Sequence, residues 1–299
     1  MTLSELGRVL VLGVTSGAIY SLIAIGLVLV YKASGVFNFA QGEFGTVAIY
    51  GAYLAGTIFH LPYGLGLVVG LTAALGMGLL TERLIIRPLF EAPRVTLLVA
   101  TAGIALLAIG IELWRTNNNP LRFFEAIRPQ TPDSLARVSP FGVAVSDQDL
   151  ITLVVLAVAA GLLYLFFRSA LGLAVLAASQ EPVASELVGV SVRRISTITW
   201  GLAALLGGAA GLLYAGGASF SPGLITAAVL IPGFTAAIVG GITSLPGAAA
   251  GGILVGVLQA LGSLSTFESV KGAQFVSVFL VLLLVLLIRP QGLFVGRAA

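Results

Sequence analysis

The residue types best suited to chemistry are concentrated in one stretch between two apolar runs, Gly35-Val36-Phe37-Asn38-Phe39-Ala40-Gln41-Gly42-Glu43-Phe44-Gly45. It carries two amides, Asn38 and Gln41, and one carboxylate, Glu43. Polar side chains at membrane depth are costly unless they face protein or a wet cavity. Glycine-rich, irregular backbone is tolerated there on the same condition. Residues 35–45 therefore predict an interrupted helix that faces a pathway, and a short polar surface loop is the simpler interpretation.

The chain lacks the residues for several kinds of catalytic site. It has no cysteine and a single histidine, His60, whereas a zinc site needs several such ligands. His60 stands beside Pro62 at a predicted membrane edge, away from the buried serine that an intramembrane hydrolase would need. Neither lysine, Lys32 or Lys271, follows a glycine, so the phosphate-binding loop G-x-x-x-x-G-K-[ST] is absent. We expect a non-catalytic chain with no metal, no cofactor and no ATP hydrolysis of its own.

Ionisable residues within the apolar runs bear on ion coupling, because ion-coupled transporters usually carry them in their spans. Glu112 is interpreted as a residue at the membrane-interface end of its helix, and Glu268 as a loop residue beside Lys271. Glu43 is then the one serious intramembrane carboxylate, which is thin support for an ion-coupled transporter.

The composition indicates an all-α polytopic membrane protein that forms a single transmembrane domain over residues 1–299. Hydrophobic residues make up 58% of the chain and charged residues 9%, against about 25% charged in soluble domains. The net charge of +3 comes from short basic clusters between apolar runs. Such clusters are typical of topology signals rather than of a nucleic-acid surface. The first apolar run is too long for a cleavable signal and is expected to be the first spanning helix.

Taking about 20 apolar residues for one crossing, the sequence predicts eight to nine transmembrane helices, some of them broken. The first run breaks either inside the membrane or at Tyr31, and the seventh and eighth are either two crossings or a re-entrant pair. The ranges are 8–31, 43–60, 63–81, 95–114, 150–168, 196–216, 228–243, 246–263 and 272–289.

The orientation follows from lysine and arginine in short loops. Segments 82–94, 168–194 and 289–297 are rich in arginine and are placed in the cytoplasm. Loop 115–149 has balanced charges and several prolines, and is placed outside as a turn-rich segment. The amino terminus is then external and the carboxyl terminus cytoplasmic.

A weak two-half internal repeat is visible in the pattern of small and polar residues. Residues 13–51 and 207–256 each run from a small-residue helix through Gly/Pro or polar breaks into another helix. Interrupted segments in matching positions of two halves point to a central transport site. The small residues also let helices approach closely in a membrane.

The segment 171–194 has roughly helical spacing of its apolar residues. Pro182 suits the first turn of a helix and Gly189 suits its end, which predicts a short amphipathic helix over about 182–188. Arg193 and Arg194 lie just beyond it. Such a helix either docks into the groove of a partner or rests on lipid, and the sequence alone leaves both open.

Several stretches together resemble one protein family. Asn38-Phe39-Ala40-Gln41-Gly42-Glu43-Phe44, followed by Gly51-Ala52-Tyr53, resembles the signature of the LivH branch of ABC-transporter permeases, which serves high-affinity uptake of branched-chain amino acids in bacteria. Leu176 to Pro182, with Ala184 and Leu187 to Val190, is similar to its cytoplasmic coupling loop. Residues 240–248 and 289–294 also match, and the resemblance runs from about Leu10 to Gly296. Pro182 replaces the first alanine of the general coupling loop, and Gly189 lies farther than usual from Glu181.

The resemblance implies a permease subunit in the inner membrane of a bacterium. Its partners would be the lipid bilayer, a second related permease, two ATP-binding cassette subunits and a periplasmic substrate-binding protein, with no nucleic acid. Solute would move by alternating access driven by the ATPases. The pathway residues would be Asn38, Gln41, Gly42 and Glu43. The ATPase-coupling residues would be Glu181, Ala184, Leu187, Gly189, Arg193 and Arg194.

Other functions remain compatible with these residues. A sister permease for urea or short amides would share nearly all the motifs. A secondary transporter would work alone on an ion gradient, and a purely structural subunit would tolerate substitution of Asn38 or Gln41. The solute, and whether the permease pair is homomeric or heteromeric, stay open.

Overall fold

The computed structural model describes residues 3–116, 145–215, 222–264 and 272–294, and this part of the chain is all-helical. The helices are α1 (Leu3–Ser34), α2 (Gln41–Thr57), α3 (Tyr63–Thr81), α4 (Arg94–Thr116), α5 (Asp147–Arg168), α6 (Ala170–Gln180), α7 (Pro182–Leu187), α8 (Val192–Ala215), α9 (Ile231–Gly240), α10 (Leu245–Gly262) and α11 (Ala273–Ile288). Single π-helical turns, Glu82–Ile86 and Thr226–Leu230, follow α3 and precede α9.

The lengths and composition of the described helices indicate a multi-pass membrane protein. Eight of the nine predicted ranges each overlap one helix, and 228–243 covers part of the π-helical turn Thr226–Leu230 together with α9. Six stretches within the described residues are long and apolar enough to cross a bilayer: Glu5–Ser34, Tyr63–Ile86, Arg94–Arg115, Asp147–Arg168, Val192–Ala215 and Leu245–Gly262. The first run is one continuous helix that passes Tyr31 and ends at Ser34. The number of crossings and the internal repeat stay predictions, and most of loop 115–149 lies outside the described residues.

Helix α1 is the centre of the bundle, and it packs against α5, α8, α9 and α10. Its residues from Ala18 to Val30 are nearly all buried, with Leu22, Ile23 and Leu27 fully so. A helix that is apolar on all sides belongs in such an interior position. Helix α5 is equally apolar, yet Thr152 is its one buried residue, so α5 lies on the perimeter.

Small residues allow α1 to lie directly against α10. A Cβ atom on Gly13 would come 2.6 Å from the Cα of Val257, and one on Gly17 would come 2.7 Å from the Cα of Ile253. Gly252 of α10 leaves the space that Ser21 occupies, and the Ser21 hydroxyl donates a hydrogen bond of 2.6 Å to the Ala249 carbonyl oxygen. Close approach of this kind is how membrane helices associate without a hydrophobic force between them.

The substitution Gly17→Ala tests this contact. Alanine raises helix propensity by ~1 kcal/mol, but the added methyl group has to push α1 away from Ile253, an overpacking that costs ~1–3 kcal/mol. We expect a lower unfolding temperature of the purified protein in detergent. Gly161→Ala on α5 is the matched control, because nothing lies within 4 Å of a Cβ there. Equal unfolding temperatures for the two variants would contradict the close contact.

Candidate translocation site and coupling surface

The polar stretch forms a break of six residues between α1 and α2. Helix α1 ends at Ser34, and Gly35 follows with φ +68°, a left-handed conformation that suits glycine at the end of a helix. Helix α2 begins at Gln41, so residues 41–45 form its first turns. The predicted interruption over 35–45 is therefore present but shorter, and it ends where the second amide begins the next helix.

The two amides connect this break to α8. The Asn38 Oδ1 atom accepts from the backbone N–H of Ala40 at 2.9 Å, and its Nδ2 atom donates to Gln41 Oε1 at 3.3 Å. The Gln41 Nε2 atom then donates to the carbonyl oxygen of Ala203 in α8 at 2.8 Å. Both amide side chains are fully buried. They satisfy the backbone of the break locally and tie α2 to a second helix.

Glycines on three helices make room for this arrangement. A Cβ atom on Gly26 of α1 would overlap the Gln41 amide, and one on Gly207 of α8 would lie 2.9 Å from the Gln41 carbonyl oxygen. A Cβ atom on Gly42 would come 2.7 Å from Thr226 Oγ1. The predicted pathway residue Gly42 thus has a packing role, because it lets α2 meet the π-helical turn at Thr226.

Glu43 is one of two buried carboxyl groups of the site. It is fully buried, and its Oε1 atom accepts a hydrogen bond from the Thr226 hydroxyl. Glu112 of α4 is 5% exposed, and its Oε2 atom accepts from the backbone N–H of Gly223 at 3.1 Å. Both carboxyl groups are therefore bound to the same short segment, at Thr226 and at Gly223. Glu112, which the sequence predicts at the membrane-interface end of its helix, thus faces the protein interior four residues before α4 ends at Thr116.

The polar stretch is closed in this conformation. Asn38, Gln41 and Glu43 are fully buried, whereas Phe39 is exposed. Phe37 contacts the ring of Phe234 edge-on at 4.8 Å, and Phe39 stacks on the same ring at 6.1 Å. The aromatic rings of Phe37, Phe39 and Phe234 therefore pack together along one side of the break.

A large apolar cavity lies elsewhere, between α1, α5, α6 and the start of α10. Its volume is about 750 Å³, and none of the four predicted pathway residues lines it. Its few polar side chains are Lys32, Tyr164, Thr243 and Ser244. Lys32 is half-buried at its wall.

The predicted coupling helix is present as α7, with Pro182 in its first turn and Gly189 in a left-handed conformation, φ +88°, just past its end. The predicted coupling residues Glu181, Ala184, Leu187, Gly189, Arg193 and Arg194 are all exposed. Leu187 is 85% exposed and Val188 80%. The helix thus presents an apolar outer surface beside two arginines.

One side of α7 packs against the rest of the protein. Ser185 is buried, and its carbonyl oxygen accepts from the Val190 N–H at 2.9 Å. A small apolar core joins α6 to α8 beneath it, formed by Val175, Ala178, Val192 and Ile195.

A polar cluster that the sequence analysis did not identify lies beside Arg193. The Arg87 guanidinium pairs with buried Glu82 at 3.0 Å and donates to Thr197 Oγ1 of α8 at 2.7 Å. A cleft of about 360 Å³ next to it is lined by Arg87, Pro88, Phe90, Glu91 and Arg193. Arg194 is not part of this cleft. Glu82 and Arg87 are five residues apart, a spacing that meets across a π-helical turn but not on an ordinary α-helix.

A family model described as the permease component of branched-chain amino acid transport systems matches residues 9–288. The chain belongs to this permease family. Related permeases align with nearly the whole length of this chain. The chain is 34% identical to the high-affinity branched-chain amino acid transport permease BraD of Pseudomonas aeruginosa, covering 96% of this chain and 95% of the relative.

Two further relatives come from distant organisms. The permease is 29% identical to LivH of Escherichia coli K12, over 95% of this chain and 94% of that one. It is 30% identical to a probable LivH of Methanocaldococcus jannaschii, over 98% and 94%. The resemblance drawn from the motifs is thus confirmed for the family, while the roles of the individual site residues stay predictions.

The Glu82–Arg87 pair of the permease is open to a stability test. Arg87→Ala leaves a buried carboxylate without its cation, which costs ~3–5 kcal/mol for a fully buried pair. Arg87 is 33% exposed, so solvent screening reduces the expected loss to ~2–3 kcal/mol. Thermal unfolding in detergent should show it, and the double variant Glu82→Gln/Arg87→Ala should recover part of the loss.

Arg83→Ala is the control, because Arg83 is exposed on the same turn. If Arg87→Ala unfolded at the same temperature as Arg83→Ala, the pair would have no structural role.

Proposed function

We propose that this permease is the non-catalytic membrane subunit of an ABC importer for branched-chain or related hydrophobic amino acids. The observation that carries the proposal is the family match over residues 9–288 together with relatives named for that transport. The absence of a phosphate-binding loop in the sequence fits a subunit whose energy comes from partners. Those partners are two ATPases, a second related permease and a periplasmic binding protein.

The permease lies in the inner membrane with nine crossings, an external loop over residues 115–149 and a cytoplasmic carboxyl terminus. Arginine-rich segments at 82–94, 168–194 and 289–297 support this orientation. On this topology α7 and the cleft beside Arg193 lie on the same, cytoplasmic side.

The ATPases bind the exposed surface of α7. An apolar helix face that projects from a rigid base suits a groove in a partner, and Leu187 and Val188 form such a face. Glu181, Ala184 and Gly189 border it, and Arg193 and Arg194 add charges at its edge.

Helix α8 carries the movement from the ATPases to the polar break. It begins at Val192 in the small core beneath α7 and reaches Ala203, the acceptor for Gln41, eleven residues later. That is about 16 Å of helix at 1.5 Å per residue. A shift of α7 therefore displaces α8, and the hydrogen bond to Gln41 makes α2 follow. Parting of the helices around Asn38, Gln41, Gly42 and Glu43 then opens the pathway to either side.

Nothing in the structure favours urea, short amides or an ion-coupled mechanism over this function. Uptake measurements in proteoliposomes that contain the permease, the ATPases and the binding protein distinguish these alternatives. We expect uptake of labelled leucine, isoleucine or valine that depends on ATP and is not reduced by excess urea or acetamide. Uphill uptake by this chain alone on an ion gradient would overturn the proposal.

Leu187→Asp tests the docking surface. Placing a charge in an apolar contact of the kind that dominates protein interfaces should cost ~2 kcal/mol or more. ATPase association and ATP-driven uptake should fall at least ~10-fold, with the unfolding temperature unchanged because Leu187 is exposed. Ser191→Asp is the control: it adds the same charge nearby, at the residue whose Oγ caps the Arg194 N–H, a position that aspartate suits equally. Equal uptake by the two variants would refute docking through α7.

Gln41→Ala tests the connection between α8 and the break. We expect the variant to bind the ATPases but to lose most ATP-driven uptake, since α2 no longer follows α8. Gln148→Ala is the control, because it removes a similar bond of 2.8 Å to Leu213 at the other end of α8. Full uptake by Gln41→Ala would exclude this connection and the pathway role of Gln41.

A further inference from the structure

The cavity between α1, α5, α6 and the start of α10 has an apolar part and a polar end. Its volume is about 750 Å³, within the range of pockets that bind drug-sized molecules. Lys32 lines it from the last turn of α1, whereas Ile25 lines it seven residues earlier, about 10 Å deeper along the helix. Ser244 lines it just before α10, and Ala249 lines it one turn into that helix. An amphiphile, with a polar group at one end of a hydrocarbon part, matches this division.

Lys32 gives the polar end a positive charge that the cavity itself does not neutralise. The side chain is half-buried, and among the described residues its ammonium group has no hydrogen-bond or ion-pair partner. The described residues that line the cavity include no aspartate or glutamate. A charge in a membrane-spanning segment is costly unless it is paired or reaches water. The site therefore favours a ligand with a negative charge.

A second cation and three hydroxyl groups accompany Lys32. The Arg168 guanidinium, at the end of α5, lies over the ring of Tyr164 at 5.0 Å, and Tyr164 lines the cavity. Thr243 and Ser244, in the turn before α10, line it as well. The Ser244 Oγ atom accepts from the Gly247 N–H at 3.0 Å, so its own proton can still be donated to a ligand. Cationic and hydroxyl donors of this kind bind phosphate oxygens.

The carboxyl-terminal segment 289–294 holds the turn before α10 in place. The Leu293 N–H donates to the Val239 carbonyl oxygen at 2.8 Å. Gly292 lies so close to Gly241, which follows α9, that a Cβ atom on Gly292 would come 2.5 Å from the Gly241 Cα. The hydroxyl groups of this turn are therefore positioned by the protein itself.

Lipid can reach the cavity because α5 forms one of its walls. Helix α5 lies on the perimeter, and its cavity-lining residues Ala160 and Tyr164 are exposed. Another wall includes Leu176 of α6, the helix that leads into α7. The cavity thus lies between a lipid-facing helix and the base of the proposed coupling surface.

We propose that this cavity binds one anionic phospholipid of the cytoplasmic leaflet. Its phosphate group lies at the polar end, near Lys32 and Ser244, and an acyl chain lies along Ile25 and Ala249. Basic pockets between transmembrane helices bind the headgroups of anionic lipids on this side of a membrane. The assignment of the leaflet rests on the orientation given under the proposed function, which places the carboxyl ends of α1 and α5 in the cytoplasm. The lipid packs between α5 and the rest of the bundle and stabilises this part of the protein.

Native mass spectrometry of the full-length permease, freed of co-purified lipid in detergent, tests the charge of the site. Phosphatidylglycerol should bind more tightly than phosphatidylcholine with the same acyl chains. Lys32→Gln should weaken its binding about fivefold, the effect of one basic side chain on an anionic lipid. Arg83→Gln is the control, because it removes an exposed cation on the same predicted side of the membrane. Equal binding of the two lipids by the native protein, or equal losses in the two variants, would overturn the proposal.

Ala160→Phe tests the cavity independently of charge. The larger side chain takes up space that the acyl chain needs, so phosphatidylglycerol should bind more weakly although Lys32 is intact. Val158→Phe is the matched control, because Val158 is exposed on the same helix and does not line the cavity. Equal binding by these two variants would place the lipid elsewhere and overturn the proposal.

Two other occupants give different results. Lipid binding that is lost when partner subunits assemble would show that another subunit covers the cavity. Binding of leucine that Lys32→Gln abolishes, without bound lipid, would assign the cavity to the transport pathway. Either result would overturn the proposal. The lipid measurements do not depend on transport, so a failure to transport branched-chain amino acids would leave them standing.

Discussion

Inside a bilayer each polar group has to find its partner within the protein, and the break between α1 and α2 is where this constraint governs the structure of the permease. Asn38 accepts a hydrogen bond from the Ala40 N–H within the break, and the Gln41 amide donates one to the Ala203 carbonyl oxygen of α8. Glu43 accepts from Thr226, and the Phe39 N–H donates to Thr101 of α4. Because the hydrogen-bond partners lie on different helices, the bonds that satisfy the polar groups of the break also fix how α2, α4 and α8 are arranged around it.

The small residues and the polar residues act together. Gly26 and Gly207 leave the space that the Gln41 amide occupies, and Gly42 lets Thr226 approach. With larger residues at these positions the amides would lose their partners, and unpaired buried groups cost ~1–3 kcal/mol each. Helix α8 connects two regions of the protein, because its first turn lies in the small core next to α7 and its middle accepts the hydrogen bond from Gln41.

Hydropathy located the helices because chain segments that cross a membrane need long apolar runs, and clustered motifs identified the family. The short helix after Pro182 was predictable because proline and glycine mark helix ends by backbone geometry alone. The position of Glu112 was not, since neighbouring Trp114 and Arg115 suggest an interface and only packing shows which side faces inward. The Glu82–Arg87 pair was missed because a π-helical turn brings together residues that ordinary helical spacing keeps apart. Sequence alone also does not reveal that the polar stretch is closed in this conformation.

The central claim is that α7, α8 and α2 move as one unit. Since the chain has no cysteine, paired spin labels can be introduced without background at Val183→Cys on α7, Ile58→Cys after α2 and Phe279→Cys on α11, all of them exposed sites. Distances are measured by double electron–electron resonance in the assembled transporter with and without ATP. The account predicts an unchanged distance between positions 183 and 58 and a changed distance between 183 and 279. A change between 183 and 58 on ATP binding would contradict it.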